Sequence, residues 1–217
     1  MAAHLPDLVI RAGLLPGGAA ATLFCPGLGG LPPARAELLA ALPVVDLNAA
    51  LLAALPRRPW QAPPAGATLF AADPFLRVAD LLPRLRQAGI RRVANWPTVQ
   101  VHDGGELARG LHSAGIGLEA ELRMLADLAA GGIEPLGYAA SAEAGQRMLA
   151  AGIRSLVLHP GPAVADWRQR AAAGAAMLAA AQALAAEGAV LRLHRPAGYG
   201  AELDAAAAAV AGCVSLG

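Results

Sequence analysis

The 217-residue chain contains no lysine; all 17 of its basic residues are arginine. That absence excludes a Schiff-base lysine, a lysine general base and a Walker-type phosphate loop, each of which depends on the amine. Aromatic residues make up only 4% of the chain. Charge is equally thin: 16 acidic residues against 17 arginines leave a net charge of +1, with the signs interspersed. No basic field for nucleic acid follows from that balance, and Arg84, Arg86, Arg91 and Arg92 read as a solvated rim. Two cysteines, Cys25 and Cys213, are too few for a disulfide framework and read as reduced thiols. No HxH, HExxH or CxxC spacing is present, so no metal site is predicted. No G-x-S-x-G elbow is present either, which argues against a Ser-His-Asp triad. A cofactor is neither indicated nor excluded.

Long hydrophobic spans are also missing, although 56% of the residues are hydrophobic. The uncharged stretch 12–34 is interrupted by Pro16, Pro26, Pro32 and Pro33 and by six glycines. A membrane helix does not tolerate so many breakers without buried partners. The run 171–186 is mostly alanine and falls short of the ~20 residues a span requires. The first residues, MAAHLPDLVIRAG, lack the n-region and h-region of a secretory signal. A cytoplasmic protein with no membrane and no nucleic-acid partner is expected.

What the chain does have is alternation. Short apolar runs at 21–25, 44–48, 67–71, 92–96, 133–137, 155–159, 189–194 and 212–216 read as eight strands. Their starts lie 22 to 41 residues apart, the length of a strand, a loop and a helix. Apolar strands alternating with helices imply a parallel sheet covered on its outer face. Eight such units in one domain spanning 1–217 match an α/β (β/α)₈ TIM barrel. A doubly wound open sheet shares the alternation, but eight evenly apolar strands without a dinucleotide fingerprint favour the barrel. Helices are predicted over 74–87 (with a kink at Pro83 and a stop at Gly89), 118–130, 142–151, 168–187 and 201–211. Long connections at 97–117 and 160–167 follow the fourth and sixth predicted strands.

In a barrel, polar residues at the carboxyl ends of the strands are the candidates for chemistry. They are Cys25 with the loop containing Gly27, Gly29 and Gly30, then Asp46, Asn48, Asp73, Asn95, Thr98, Tyr138, His159, His194 and Arg195. Each has a plainer explanation. Asp73-Pro74 is a usual N-cap followed by proline at the first helical position. A histidine ending an apolar strand is often a core residue bonded to backbone, but two at equivalent positions on successive strands point to proton transfer. The glycine loop either brings amides to an anion or makes a tight turn. Glu119 and Glu121 are two residues apart on a helix, so they do not form an acid/base pair.

The segment from about 67 to 162 carries a series of landmarks in order. These are Asp73-Pro74-Phe75, Asn95 with Pro97-Thr98-Val99, Asp103-Gly104, Gly115-Ile116-Gly117, Glu121, the helix 143–152, and His159 with Gly161. In this it resembles the phosphoenolpyruvate hydrolase-like family of TIM barrels, related to the C-terminal barrel of two-domain plant proteins that block viral replication. The resemblance implies a compact, often homo-oligomeric barrel acting on a small phosphorylated or carboxylated acid. Asp73, Asn95, His159 and His194 would then be catalytic, while Gly27, Gly29, Gly30, Asn48, Thr98, Glu121 and Arg195 would bind substrate. Departures are present too. The polar loop after the second predicted strand is shortened, because Asn48 runs directly into AALLAALP. Arg195-Pro196 replaces a glycine pair, and Arg123 replaces a glutamate. The alternative reading is therefore a diverged, non-catalytic barrel that binds a small ligand or a protein partner.

Overall fold

The structure, a computed structural model, describes the chain except residues 1–3, 15–17, 33–34, 41, 43, 58–59 and 103–105 and the side chains of residues 37 and 107. Asp103-Gly104 therefore lies outside the described residues. Eight parallel strands form a closed barrel in chain order: β1 Leu8–Arg11, β2 Thr22–Phe24, β3 Gly66–Thr68, β4 Arg92–Ala94, β5 Glu134–Ala139, β6 Ser155–Leu158, β7 Val190–His194 and β8 Gly212–Leu216. The β1–β8 pair, with Leu8 opposite Val214 and Ile10 opposite Leu216, closes the ring. The helices are α1 Ala36–Ala40, α2 Leu47–Ala54, α3 Val78–Ala88, α4 Glu106–Ser113, α5 Leu118–Ala130, α6 Ala142–Ala150, α7 Trp167–Ala186 and α8 Asp204–Ala208. None of the described helices is long and apolar enough to cross a membrane. Both cysteines are free thiols.

Two of the expected elements need correction. Residues 44–48 are not a strand. The Asp46 side chain accepts the amide of Ala49 and starts α2, so Leu47 and Asn48 are already helical and Val44 points out at 57% exposure. The stretch after Asn48 is accordingly a helix rather than a shortened loop. The eighth strand is instead β1, Leu-Val-Ile-Arg, which alternates buried and half-buried positions. The third helix also starts later than expected, at Val78, and Asp73 does not cap it. Its Pro83 and its stop at Gly89, in the left-handed conformation at φ 78°, are as the sequence predicts. Arg92 sits at the rim, partly exposed. It forms a double hydrogen bond to Glu134 on the neighbouring strand.

Packing divides into a barrel interior and an outer shell. On β5 to β8, one face, including Ala139, Leu156, Leu158, Leu191 and Leu193, meets α5, α6, α7 and α8. The alanine-rich α7 works by close approach. Gly174, Met177, Ala181 and Leu184 are buried along one face, and a Cβ on Gly174 would stand 2.0 Å from the Glu202 carbonyl oxygen. The interior is filled by Ile10, Leu23, Ala94, Leu136, Val157 and Val214. Above them, Leu28, Leu31, Ala36, Ala40 and Leu47 from the chain after β2 join the same cluster as Trp96 and Tyr138. This segment and the start of α2 roof the carboxyl-terminal mouth of the barrel.

Candidate active site

The register of β6 and β7 sets Leu158 opposite Leu193, so His159 and His194 emerge side by side from adjacent strands. Their imidazole rings stack, with centroids 4.5 Å apart and planes 17° from parallel. The Tyr138 hydroxyl, on β5, lies 3.3 Å from Nδ1 of His194. The amide of Gly161 donates to Nδ1 of His159 at 3.0 Å. A neutral His159 therefore carries its proton on Nε2. Both rings are buried, at 3% and 0% exposure. The two loops leaving these histidines supply Pro162, Ala163, Arg195 and Ala197 to a cavity of about 380 Å³, closed by Leu216 and by Arg35 and Leu38 of the roof. Arg195 is steadied there by an ion pair with Asp204 at 2.8 Å.

Asn95, Thr98 and Glu121 converge on a different structure. Glu121 is 0% exposed and accepts from Asn95 at 3.0 Å, Thr98 at 2.9 Å, the Val99 amide at 3.0 Å and Gln100 at 2.7 Å. Asn95 in turn accepts the Tyr138 amide, and Gln100 accepts the amide of Ala140 and donates to the Tyr138 carbonyl. Burial raises the Glu121 carboxyl from its ordinary value of 4.5 to about 7, against the opposing pull of the Gln100, Val99, Thr98 and Asn95 donors. The network pins the chain after β4 to β5 from within. Glu119, two residues away, is exposed and paired with Arg147.

Asn48 and Asp73 form a third group. Asn48 donates to Asp73 at 2.9 Å and to the Phe70 carbonyl at 3.0 Å, and accepts the Phe70 amide at 3.0 Å. The other Asp73 oxygen accepts the amide of Phe75. Both residues face a cavity of about 340 Å³ with Phe70, Phe75, Leu111 and Ile116.

The glycine loop is one short 3₁₀ segment, Pro26–Gly30. Gly27 is tightly packed there, since a Cβ would come within 2.5 Å of Leu47 Cδ2, which would have to move, and 3.2 Å of its Cα. Gly29 and Gly30 have ordinary room. Cys25, just before them, is buried, which raises its thiol to about 11. Among the described residues no three His, Cys, Asp or Glu side chains gather as metal ligands.

The sequence-derived candidates thus separate into a histidine pair, a buried carboxylate network, an Asn–Asp clamp and a glycine turn. Gln100, Trp96 and Arg35 were not singled out from the sequence. Gln100 did leave a signal, being a second polar side chain two residues after Thr98, set between Val99 and Val101. The other two left none, because a tryptophan in an apolar run and an arginine at a helix start look ordinary.

A (β/α)₈ barrel with polar groups at the carboxyl ends of its strands has the layout of an enzyme. The phosphoenolpyruvate hydrolase-like family model matches residues 37–190, and the chain belongs to that family. An uncharacterized protein, y4oT of Sinorhizobium fredii (strain NBRC 101917 / NGR234), is 35% identical over 136 residues, covering 63% of this chain and 69% of its own. The tomato ToMV susceptible protein tm-1(GCR26) and ToMV resistance protein Tm-1(GCR237), from Solanum lycopersicum, are each 33% identical over 131 residues. That match covers 58% of this chain but only 17% of theirs. Among solved structures, FabK from Thermotoga maritima superposes with a TM-score of 0.51 at 13% identity, covering 97% of this chain and 58% of that one. At that identity the likeness concerns the fold alone.

Proposed function

We propose that the protein is a hydrolase- or lyase-type enzyme acting on a small phosphorylated or carboxylated acid at the mouth of the barrel. The observation that carries this reading is the stacked His159–His194 pair with the Tyr138 hydroxyl against it. The acid's anionic group would sit in the cavity flanked by Arg35 and Arg195, which the loops leaving both histidines help to form. Arginine side chains take the role that lysine has in other phosphate sites. His159, with its proton held on Nε2, would hydrogen-bond the negative charge that develops on the substrate, and His194, backed by Tyr138, would accept the proton of the attacking group and return it to the leaving group. Asn95, Thr98 and Glu121 would hold the strand ends in place rather than touch substrate. A cytoplasmic setting and assembly into homo-oligomers belong to the same proposal.

The test is a turnover screen with phosphoenolpyruvate, phosphonopyruvate and related 2-keto acids. The expected result is activity that falls by ~100-fold or more in His159→Ala and His194→Ala. Equal rates in the wild type and both variants would reject the reading. The burial of both rings favours a second reading, a barrel that binds such an acid without turning it over. Thermal stabilisation by the same acids with no product formed would establish it.

A further inference from the structure

Apart from the histidine mouth, the structure holds a cavity of opposite character. It lies between α2, the loop joining β3 to α3, and the α4–α5 connection, and encloses about 340 Å³. That volume is within the usual range of small-molecule sites. Its walls are Leu42, Val45, Phe70, Leu111 and Ile116. Its polar residues are Asn48, Asp73 and Asp46, the last exposed and capping α2, and no arginine or histidine is among the described residues that line it.

Asp73 is already held in place. Asn48 holds one carboxylate oxygen and the Phe75 amide holds the other. Each oxygen still has a lone pair for a further donor. A hydrocarbon occupant would strip water from that carboxylate and return nothing for it. An anionic occupant would meet the Asp73 carboxylate. An ammonium group replaces the lost water with a charge-assisted hydrogen bond, while an apolar body fills the walls. At the rim stands Phe75, 91% exposed.

We propose that this cavity binds a small organic cation, a primary ammonium on an aromatic or branched aliphatic body, with the ammonium on Asp73. The site takes the opposite charge to the acid assigned to the barrel mouth and stands or falls independently of that assignment. Leu111 and Ile116 also form a wall of the neighbouring cleft of about 400 Å³, so they set the length of ligand that fits.

The experiment titrates the intact protein at pH 7 with 2-phenylethylamine, 2-phenylethanol and phenylacetate, followed by calorimetry and by NMR shifts of the cavity residues. The amine is expected to bind roughly tenfold or more tightly than the alcohol, a difference typical of one charged contact. Phenylacetate is expected not to bind. Asp73→Asn should remove the preference for amine over alcohol, and Ile116→Trp should fill the cavity and abolish binding of both. Phenylacetate binding as tightly as the amine overturns the proposal, as does unchanged amine affinity in Asp73→Asn. Failure of the amine to bind the wild-type protein also overturns it.

Discussion

Asn48 and Phe70 are joined by two reciprocal hydrogen bonds, side-chain amide to carbonyl and backbone amide to side-chain oxygen, each 3.0 Å long. One asparagine at the start of α2 thereby does for the end of β3 what another strand would do. Asn48→Ala leaves both Phe70 backbone groups without these partners, at a cost of about 2–4 kcal/mol. Asn48→Asp keeps the acceptor, loses the donor and places a second carboxylate against Asp73. Urea unfolding should show Asn48→Asp regaining stability on acidification and Asn48→Ala not.

Glu121 is expected to make stability fall as pH rises. Its carboxyl lies at 4.5 when unfolded and at about 7 in the fold. The folded state therefore binds the extra proton between those values, and the stabilisation present below pH 4.5 is lost by pH 7. Glu121→Gln should flatten that slope in denaturant titrations across the range. Glu121→Ala deprives Asn95, Thr98, Gln100 and the Val99 amide of their acceptor and should cost upward of about 3 kcal/mol.

Thiol labelling offers a check on packing. Burial holds Cys25 at about 11 and also raises Cys213, so neither forms much thiolate near neutrality. Native protein at pH 8 should react slowly with a disulfide reagent, with Cys213, the less buried thiol, reacting first. In denaturant both should react at once. Fast native labelling of Cys25 would contradict the closed roof.

Gly27→Ala tests that roof directly. The added methyl meets the Leu47 side chain and α-carbon, so overpacking should cost about 1–3 kcal/mol. Gly29→Ala, whose new atom finds its nearest neighbour at 3.7 Å, should be nearly neutral. Thermal melts of the pair separate a packing glycine from a merely permissive one.

Tyr138→Phe removes the hydroxyl beside His194 but retains the ring in the barrel interior. With the activity proposed above, kcat should fall by about tenfold or more while the melting temperature changes little. A loss confined to stability would make Tyr138 a packing residue only.

The barrel was readable from the sequence because its strands are apolar runs at regular intervals. The count of eight came out right through two offsetting differences. Val44-Val45 has the β-branched signature of a strand, yet Asp46 caps the following helix and pulls the segment into it. Leu8–Arg11 is only four residues long and ends in a charge, so it gave little periodic signal. The histidine pair was visible because it follows strand register, which sequence spacing preserves. The Glu121 network was not, because its donors, Asn95, Thr98, Val99 and Gln100, lie 21 to 26 residues from the carboxylate they share. Likewise Asp73 looked like a helix cap, and its actual partner, Asn48, is 25 residues away.

The ladder between β1 and β8 joins residues about 206 positions apart, Leu8 with Val214 and Ile10 with Leu216. On the ribosome, the first strand must wait for the last before the cylinder can seal. Until then two bare edges face outward, each able to pair with the same edge of another nascent copy. The closing seam is the most non-local contact in the barrel and the place where a delayed or shortened chain would turn from folding to association.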